Sequence, residues 1–179
     1  MTDAQLVKYI IKNKKLPLSV DDYTNFLVLL LPPTFTLLGG LALYRYFFFD
    51  RYLFLVLGGI FLVITGPFFM YLTIVRLKQN ITFSTISNDR NIDIDQLVDL
   101  ISNNLKLDNI KVDKKHHKIS AITKTTAFSW GERITIVLNG SDVLVNSRPA
   151  SGRQPYTITK DIKNIRSIRK LIEGPMLLT

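Results

Sequence analysis

The residues best suited to binding chemistry are cationic side chains near the C-terminus. Two lie in a loop and three in the helix predicted to follow it: Arg148, Arg153, Lys163, Arg166 and Lys170. Guanidinium and ammonium groups donate charge-assisted hydrogen bonds to phosphate oxygens, and a helix N-terminus adds the positive end of its dipole. This pattern predicts a site for an anion or a lipid headgroup, with a flexible surface loop as the alternative.

Residue patterns typical of catalysis or metal binding are missing from the sequence. The only histidines, His116 and His117, are adjacent in a lysine-rich turn, where their side chains diverge and positive charge disfavours a metal. Asp93 and Asp95 fit the cap and first turn of a helix, whose dipole favours carboxylates. There is no glycine-rich phosphate loop and no cysteine. We therefore expect a protein that is not an enzyme and that binds no metal or cofactor.

A second group of residues suits contact with a protein partner. Phe128 lies in a turn with Trp130, the only tryptophan, which either covers the open face of a sheet or is an exposed anchor for a partner or for the membrane interface. The apolar runs described below contain paired small residues that let helix backbones approach closely: Gly39, Gly40, Gly58 and Gly59. These glycines indicate either packing within a helix pair or a docking face for another membrane subunit.

Two long apolar runs determine the organisation of the chain. Residues 26–44 and 52–75 contain no Lys, Arg, Asp or Glu. Each run is long enough to cross the ~30 Å hydrocarbon core of a bilayer as a helix. The short link between them contains Arg45, Asp50 and Arg51. We therefore predict a two-helix transmembrane hairpin over residues 26–75.

Positive charge is distributed unevenly around these runs. Four lysines precede the first run and Arg76, Lys78 and Arg90 follow the second, whereas the link has only Arg45 and Arg51. The positive-inside rule then predicts an integral membrane protein with two spans and both termini in the cytoplasm. Beyond residue 75 the chain holds 17 of the 23 Lys and Arg and 10 of the 14 Asp and Glu. This excess favours attraction to anionic lipid headgroups, and we expect no nucleic-acid partner.

The remaining residues form two further parts. Residues 1–25 are predicted to be a basic amphipathic tail, in which a helix capped by Thr2 lies against headgroups or binds a partner. Residues 76–179 are predicted to be a cytoplasmic α+β domain of order β-α-β-β-β-β-α. In it an antiparallel sheet begins at residue 81, a capping box starts a helix at Asp93, and a tight turn forms at Asn139-Gly140. Both helices are expected on one face of the sheet.

Short motifs in this domain carry a resemblance. The pentapeptide Phe128-Ser-Trp-Gly-Glu132 precedes a strand, and Asn146-Ser147 and a terminal helix with Lys160 and Asn164 follow. In these motifs the chain resembles a group of small membrane-anchored bacterial proteins of unassigned function. The resemblance implies a membrane-anchored domain and no particular activity. The element order also resembles the half-fold of the TATA-binding protein, a likeness of fold that implies no function.

Taken together, these patterns predict a protein that acts by contact. The spans lack polar residues that would mark an ion path, and the basic head lacks a catalytic motif. We expect a non-catalytic accessory or assembly subunit of a larger membrane protein complex. The alternative is a membrane-anchored lipid- or anion-binding module. The sequence leaves open which element covers the second face of the sheet.

Overall fold

The computed structural model describes residues 1–19, 22, 27–49, 51–125, 131–151 and 159–174. Within these ranges the helices are α1 (Asp3–Asn13), α2 (Leu31–Phe48), α3 (Leu53–Ile81), α4 (Ile94–Asn104) and α5 (Lys160–Glu173), with 3-10 helices at Leu27–Leu30 and Lys114–His116. The strands are β1 (Ser84–Ser87), β2 (Leu107–Asp113), β3 (Lys118–Thr123), β4 (Glu132–Asn139) and β5 (Asp142–Pro149). The chain divides into a hairpin unit (Val20–Lys78) and a sheet unit (Met1–Ser19 with Gln79–Thr179).

The hairpin unit contains α2 and most of α3. The most apolar 18-residue stretches of the helical segments Leu27–Phe48 and Leu53–Ile81 have mean hydropathies of 1.8 and 2.3. Only 11% of the most apolar stretch of each segment is buried. Apolar surface of this extent suits contact with lipid better than contact with water. Both helices are long and apolar enough to cross a membrane, in agreement with the two predicted spans.

Two of the four paired glycines serve packing between α2 and α3. A Cβ atom added to Gly39 would lie 2.8 Å from the carbonyl oxygen of Gly59, and one added to Gly59 would lie 3.0 Å from that of Gly39. At Gly40 and Gly58, an added Cβ would have no described atom within 4 Å. The close approach therefore belongs to the hairpin itself. Of the glycines predicted to contact another subunit, only Gly40 and Gly58 remain open.

The strands form one antiparallel sheet in the order β1-β5-β4-β3-β2. Strands β4 and β5 form a hairpin in which Asn139 pairs with Asp142, so that Gly140 and Ser141 make a two-residue turn. Gly140 has a φ of +60°, which glycine adopts without strain. The predicted tight turn is therefore present, displaced by one residue, and Asn139 itself has no positive φ.

Helices α4 and α5 cover one face of the sheet. Helix α4 begins with the predicted capping box. The Asp93 carboxylate accepts from the N–H of Gln96 at 2.8 Å, and the N–H of Asp93 donates to the Gln96 side chain at 3.1 Å. The residues Ile94, Leu97 and Ile101 are buried, as the helical spacing predicted. Together with side chains of the sheet and of α5, they form the larger hydrophobic core.

Helix α1 packs on the opposite face of the sheet, although the sequence predicted a separate tail over residues 1–25. The helix is capped as predicted. Its buried residues Val7 and Ile10 form a second hydrophobic core with Val137 of β4 and Leu144 of β5. Because these two strands present apolar side chains on that face as well, the apolar stripe of α1 is buried in the sheet unit and does not lie against lipid headgroups.

The element order of the sheet unit differs from the predicted β-α-β-β-β-β-α. Helix α1 belongs to this unit, and the 3-10 turn Lys114–His116 separates β2 from β3. The two helices of the predicted order, α4 and α5, lie on one face of the sheet as predicted, and α1 covers the other face. In addition, α3 continues to Ile81, so the first strand begins at Ser84 and not at residue 81. The helix continues because no proline or glycine follows Val75 before Ile81.

The chain segments on the two sides of the apolar hairpin are hydrogen-bonded to each other within the sheet unit. The N–H of Leu16 donates to the carbonyl of Ile81 at 2.7 Å. The N–H of Phe83 donates to the carbonyl of Lys14 at 2.9 Å, and an isolated antiparallel bridge lies between these two bonds. The chain therefore leaves the sheet unit and returns to it at one place.

Asn146 of β5 fixes the end of α3. Its side-chain amide donates to the carbonyl of Asn80 at 3.0 Å and to the carbonyl of Thr82 at 2.8 Å. The Asn146 side chain is fully buried. Loss of a buried donor is costly because water does not replace it. This amide therefore joins the C-terminal end of the second apolar helix to the sheet.

The glycine contact predicts a difference between two adjacent positions. We expect Gly39→Ala to destabilise the chain by about 1–3 kcal/mol, because the added methyl group meets the backbone of α3. The matched control Gly40→Ala should leave stability unchanged. Thermal unfolding of the full chain in detergent, followed by circular dichroism, measures both. Equal melting temperatures for the two variants would show that the helices do not pack through Gly39.

The Asn146 amide predicts a large effect from a nearly isosteric change. Asn146→Asp replaces a donor by a carboxylate that faces two carbonyl oxygens, and we expect it to cost about 3 kcal/mol or more. Asn103→Asp, on the exposed surface of the last turn of α4, is the control and should cost less than about 1 kcal/mol, the unfavourable interaction of a carboxylate with the helix dipole. The same unfolding measurement compares the two. A neutral result at position 146 would contradict the bonds to α3.

Candidate functional site

An open pocket of ≈ 350 Å³ lies within the sheet unit beside α5. Helix α5 supplies one wall, with the residues Asp161, Ile162, Ile165, Arg166 and Arg169. The other wall contains polar residues from the end of α3, the segment that follows it, β1 and β5: Gln79, Thr82, Ser84 and Ser147. The pocket thus combines two guanidinium groups, a carboxyl group, hydroxyl groups and an apolar flank.

The sequence of α5 explains which of its residues line the pocket. Ile162, Arg166 and Arg169 follow one another at spacings of four and three residues, which places them along one side of a helix. That side adjoins the stripe buried in the core. The pocket therefore lies along the flank of α5, beside β1 and β5.

The predicted buried stripe of α5 is only partly observed. Ile168 and Ile172 are fully buried and Ile165 is half-buried, as the spacing predicted. Ile162 is instead 37% exposed. Asp161, one turn before Ile165, takes the buried position at the start of the helix. A partly exposed isoleucine consequently lines the pocket.

Ser147 fixes α5 against the sheet. It shares a face of β5 with Val143 and Val145, because alternate residues of a strand point to the same side. The side-chain amide of Asn164 donates to Ser147 Oγ at 3.1 Å, and both residues are buried. The motif residues Asn146, Ser147 and Asn164 therefore hold elements together, Asn146 at α3 and the other two at α5.

Among the four predicted anion-binding residues that the structure describes, only Arg166 lines this pocket. Lys163 and Lys170 are exposed and lie two turns apart on the outer side of α5. Arg148 alternates with Ser147 along β5, so it belongs to the other face of the sheet. The structure therefore does not bring these described cations into one cluster.

Three of the predicted contact residues lie outside the described residues: Arg153, Phe128 and Trp130. Arg169 was not among the predicted site residues, although its helical spacing from Arg166 was a usable signal. No local sequence pattern predicted the polar wall of the pocket, which lies opposite α5. That wall depends on β1 lying next to β5, an arrangement between strands that are distant in sequence.

The helical wall of the pocket is positively charged. Arg166 and Arg169 are exposed, and neither forms an ion pair with any residue that the structure describes. Residues three apart on a helix have Cβ atoms about 5–6 Å apart, so both guanidinium groups can reach one oxyanion. Asp161, which is 4% exposed, adds a carboxyl group to the same pocket. The arrangement suits a ligand that carries both an anionic group and hydrogen-bond donors.

The histidine turn is a structural element of the β2–β3 connection. The ring Nδ1–H of His116 donates to Asp113 Oδ2 at 2.7 Å, and the backbone N–H of His116 donates to Oδ1 at 3.2 Å. The ring hydrogen bond is the main reason why the pKa of Asp113 lies below its usual value, and desolvation opposes it. Within the described ranges, no group of three or more His, Cys, Asp or Glu side chains is placed to hold a metal ion.

The Asp113–His116 pair predicts a local pH effect. Removing the ring in His116→Ala should raise the pKa of Asp113 towards its ordinary value of about 3.9, whereas His117→Ala should not. Because the folded-state pKa is depressed, the stabilisation is present above the ordinary pKa and is lost as the pH falls through the folded-state pKa. An NMR titration of the Asp113 carboxyl carbon measures the shift. Equal titrations in both variants would exclude the ring as its cause.

Comparison with known proteins identifies no relative of this chain. No protein-family model, no curated protein and no solved structure matches it. The function of the pocket is therefore inferred from its own residues and from the elements that hold them.

Proposed function

We propose that this chain is a non-catalytic, membrane-anchored binding module whose sheet unit holds an anionic ligand in the pocket beside α5. The observation that carries this proposal is the placement of Arg166 and Arg169 on one wall of a ≈ 350 Å³ cavity. Neither has an ion-pair partner among the described residues. Two neighbouring guanidinium groups that form no ion pair with a described carboxylate attract an oxyanion and can bind it bidentately.

The scaffold around the two arginines supports a preformed site. Ile168 and Ile172 are buried in the core, and Asn164 is hydrogen-bonded to Ser147. Helix α5 is therefore held in place before a ligand arrives, which lowers the entropic cost of binding. The cavity volume lies at the lower end of the ~300–1,000 Å³ that is typical of small-molecule sites. Such a volume suits a small polar group better than a large organic ligand.

The membrane anchor is the second part of the proposal. Helices α2 and α3 serve as two spans, with both termini in the cytoplasm, as the charge distribution predicts. The hydrogen bonds of Leu16 to Ile81 and of Phe83 to Lys14 support this topology. Segments that are bonded to each other lie on the same side of a bilayer, and this requires an even number of spans between them.

A role within a larger membrane complex stays a prediction. Gly39 and Gly59 are occupied by the contact between α2 and α3, so they are not available to a partner. Gly40 and Gly58 remain the open small residues for an accessory or assembly subunit. Anion binding and a subunit role are compatible, because the anion would bind to the sheet unit and the partner subunit would contact the hairpin unit.

The binding proposal predicts a specific response to inorganic phosphate. We expect the full chain in uncharged detergent micelles to bind phosphate saturably, with amide NMR shifts at Ser84, Ser147 and Arg166. Each charge-assisted hydrogen bond is worth about 1.5–3 kcal/mol, so the double variant Arg166→Gln, Arg169→Gln should bind at least about tenfold more weakly. Added sodium chloride should weaken binding by screening.

The control for this experiment removes the same charge from the same helix. The double variant Lys163→Gln, Lys170→Gln should bind phosphate like the native chain, because both lysines lie outside the pocket. Equal losses in the two double variants would indicate general attraction to a basic surface. No saturable binding by the native chain would contradict the proposed function.

A further inference from the structure

Three properties of the pocket together indicate the chemical class of its ligand. One is its position in the chain relative to the second apolar run. Another is the presence of a carboxyl group and hydroxyl groups beside the two arginines. The third is the partly exposed isoleucine that lines it. We infer that the ligand is the phosphate-bearing headgroup of a membrane phospholipid whose headgroup also carries hydrogen-bond donors; this inference rests on the proposed function.

One residue that lines the pocket lies close in sequence to the end of the second apolar run. The wall of the pocket includes Gln79, which follows the end of the apolar run at Val75 by four residues. Both residues belong to helix α3, in which four residues advance about 6 Å along the axis. The headgroup layer on each side of a bilayer is about 5–8 Å thick. Gln79 therefore follows the end of the apolar run by a length comparable to the thickness of the headgroup layer.

The polar groups of the pocket select more than a phosphate. Arg166 and Arg169 are suited to the phosphate oxygens. Asp161 and the hydroxyl groups of Ser84 and Ser147 lie in the same cavity. A carboxylate repels a second anion but accepts hydrogen bonds from ammonium or hydroxyl groups. Phosphoethanolamine and phosphoglycerol headgroups supply both a phosphate and such donors, whereas phosphocholine has no N–H or O–H group.

The apolar flank fits the part of a lipid next to its headgroup. Ile162 is 37% exposed and Ile165 is half-buried, and both line the pocket. Free inorganic phosphate gains nothing from these side chains. The glycerol backbone and the first methylene groups of a lipid would cover them, and burial of apolar surface favours binding. The flank therefore favours a lipid over a free phosphate as the source of the bound group.

The experiment uses the full chain in nanodiscs of defined composition. One set contains equal amounts of phosphatidylethanolamine and phosphatidylcholine, which are both neutral overall but differ in donors. A second set contains equal amounts of phosphatidylglycerol and phosphatidylcholine. The chain is released in the mass spectrometer, and the retained lipids are counted. We expect phosphatidylethanolamine and phosphatidylglycerol to be retained above their share of the bilayer.

The pocket variants show whether the retained lipid occupies this site. Arg166→Gln with Arg169→Gln should lower the retained donor lipids by about tenfold, and Lys163→Gln with Lys170→Gln should not. All four residues are exposed on α5, so both double variants should fold. Retention in proportion to the bilayer composition, or an equal loss in the two double variants, would overturn the headgroup inference.

A second experiment, with soluble phosphate compounds, distinguishes failure of this inference from failure of the proposed function. The same chain in uncharged detergent is titrated with inorganic phosphate and with glycerol phosphate. Binding of these compounds that depends on Arg166 and Arg169, without selective retention of lipid, would leave an anion-binding module whose ligand is soluble, and would reject the lipid as the source. Absence of both kinds of binding would reject the inference and the proposed function together.

Discussion

The hydrogen bonds at the base of the apolar hairpin are the constraint on which the rest of the structure depends. The bonds between Leu16 and Ile81 and between Phe83 and Lys14 bring together two chain segments that the whole hairpin separates. The buried amide of Asn146 adds two bonds from β5 to the end of α3. These contacts set the start of β1 and place α1 against the sheet. They also bring the end of α3 to the wall of the pocket.

The elements with local signals could be predicted from the sequence. The two apolar runs, the capping box at Asp93 and the glycine turn at Gly140 each depend on residues within a few positions of one another. Helix α4 follows from its own spacing, because Ile94 and Leu97 with Ile101 define one buried face. In these cases the residue types determine the backbone before any distant contact forms.

The remaining features depend on contacts between distant segments. The apolar stripe of α1 suits a bilayer surface and a sheet equally well, and only the presence of Val137 and Leu144 decides between them. Arg166 was identified from its charge and Arg169 lies beside it by helical spacing, but the approach of Ser84 to these two residues needed the pairing of β1 with β5. Arg148 was predicted to lie in a loop but belongs to β5. The face of the sheet on which it lies follows from the register of that strand.

The position of α1 has a consequence for the synthesis of the sheet unit and for the design of a fragment that contains it. During synthesis α1 leaves the ribosome before the hairpin, and its apolar stripe has no intramolecular partner until β4 and β5 follow. A fragment that begins after the hairpin lacks this helix and exposes Val137 and Leu144 as part of an apolar patch that favours aggregation. A soluble form of the sheet unit therefore needs residues 1–19 joined to the chain from residue 79 onward. The 2.7 Å bond between Leu16 and Ile81 shows that a short linker would replace the entire hairpin.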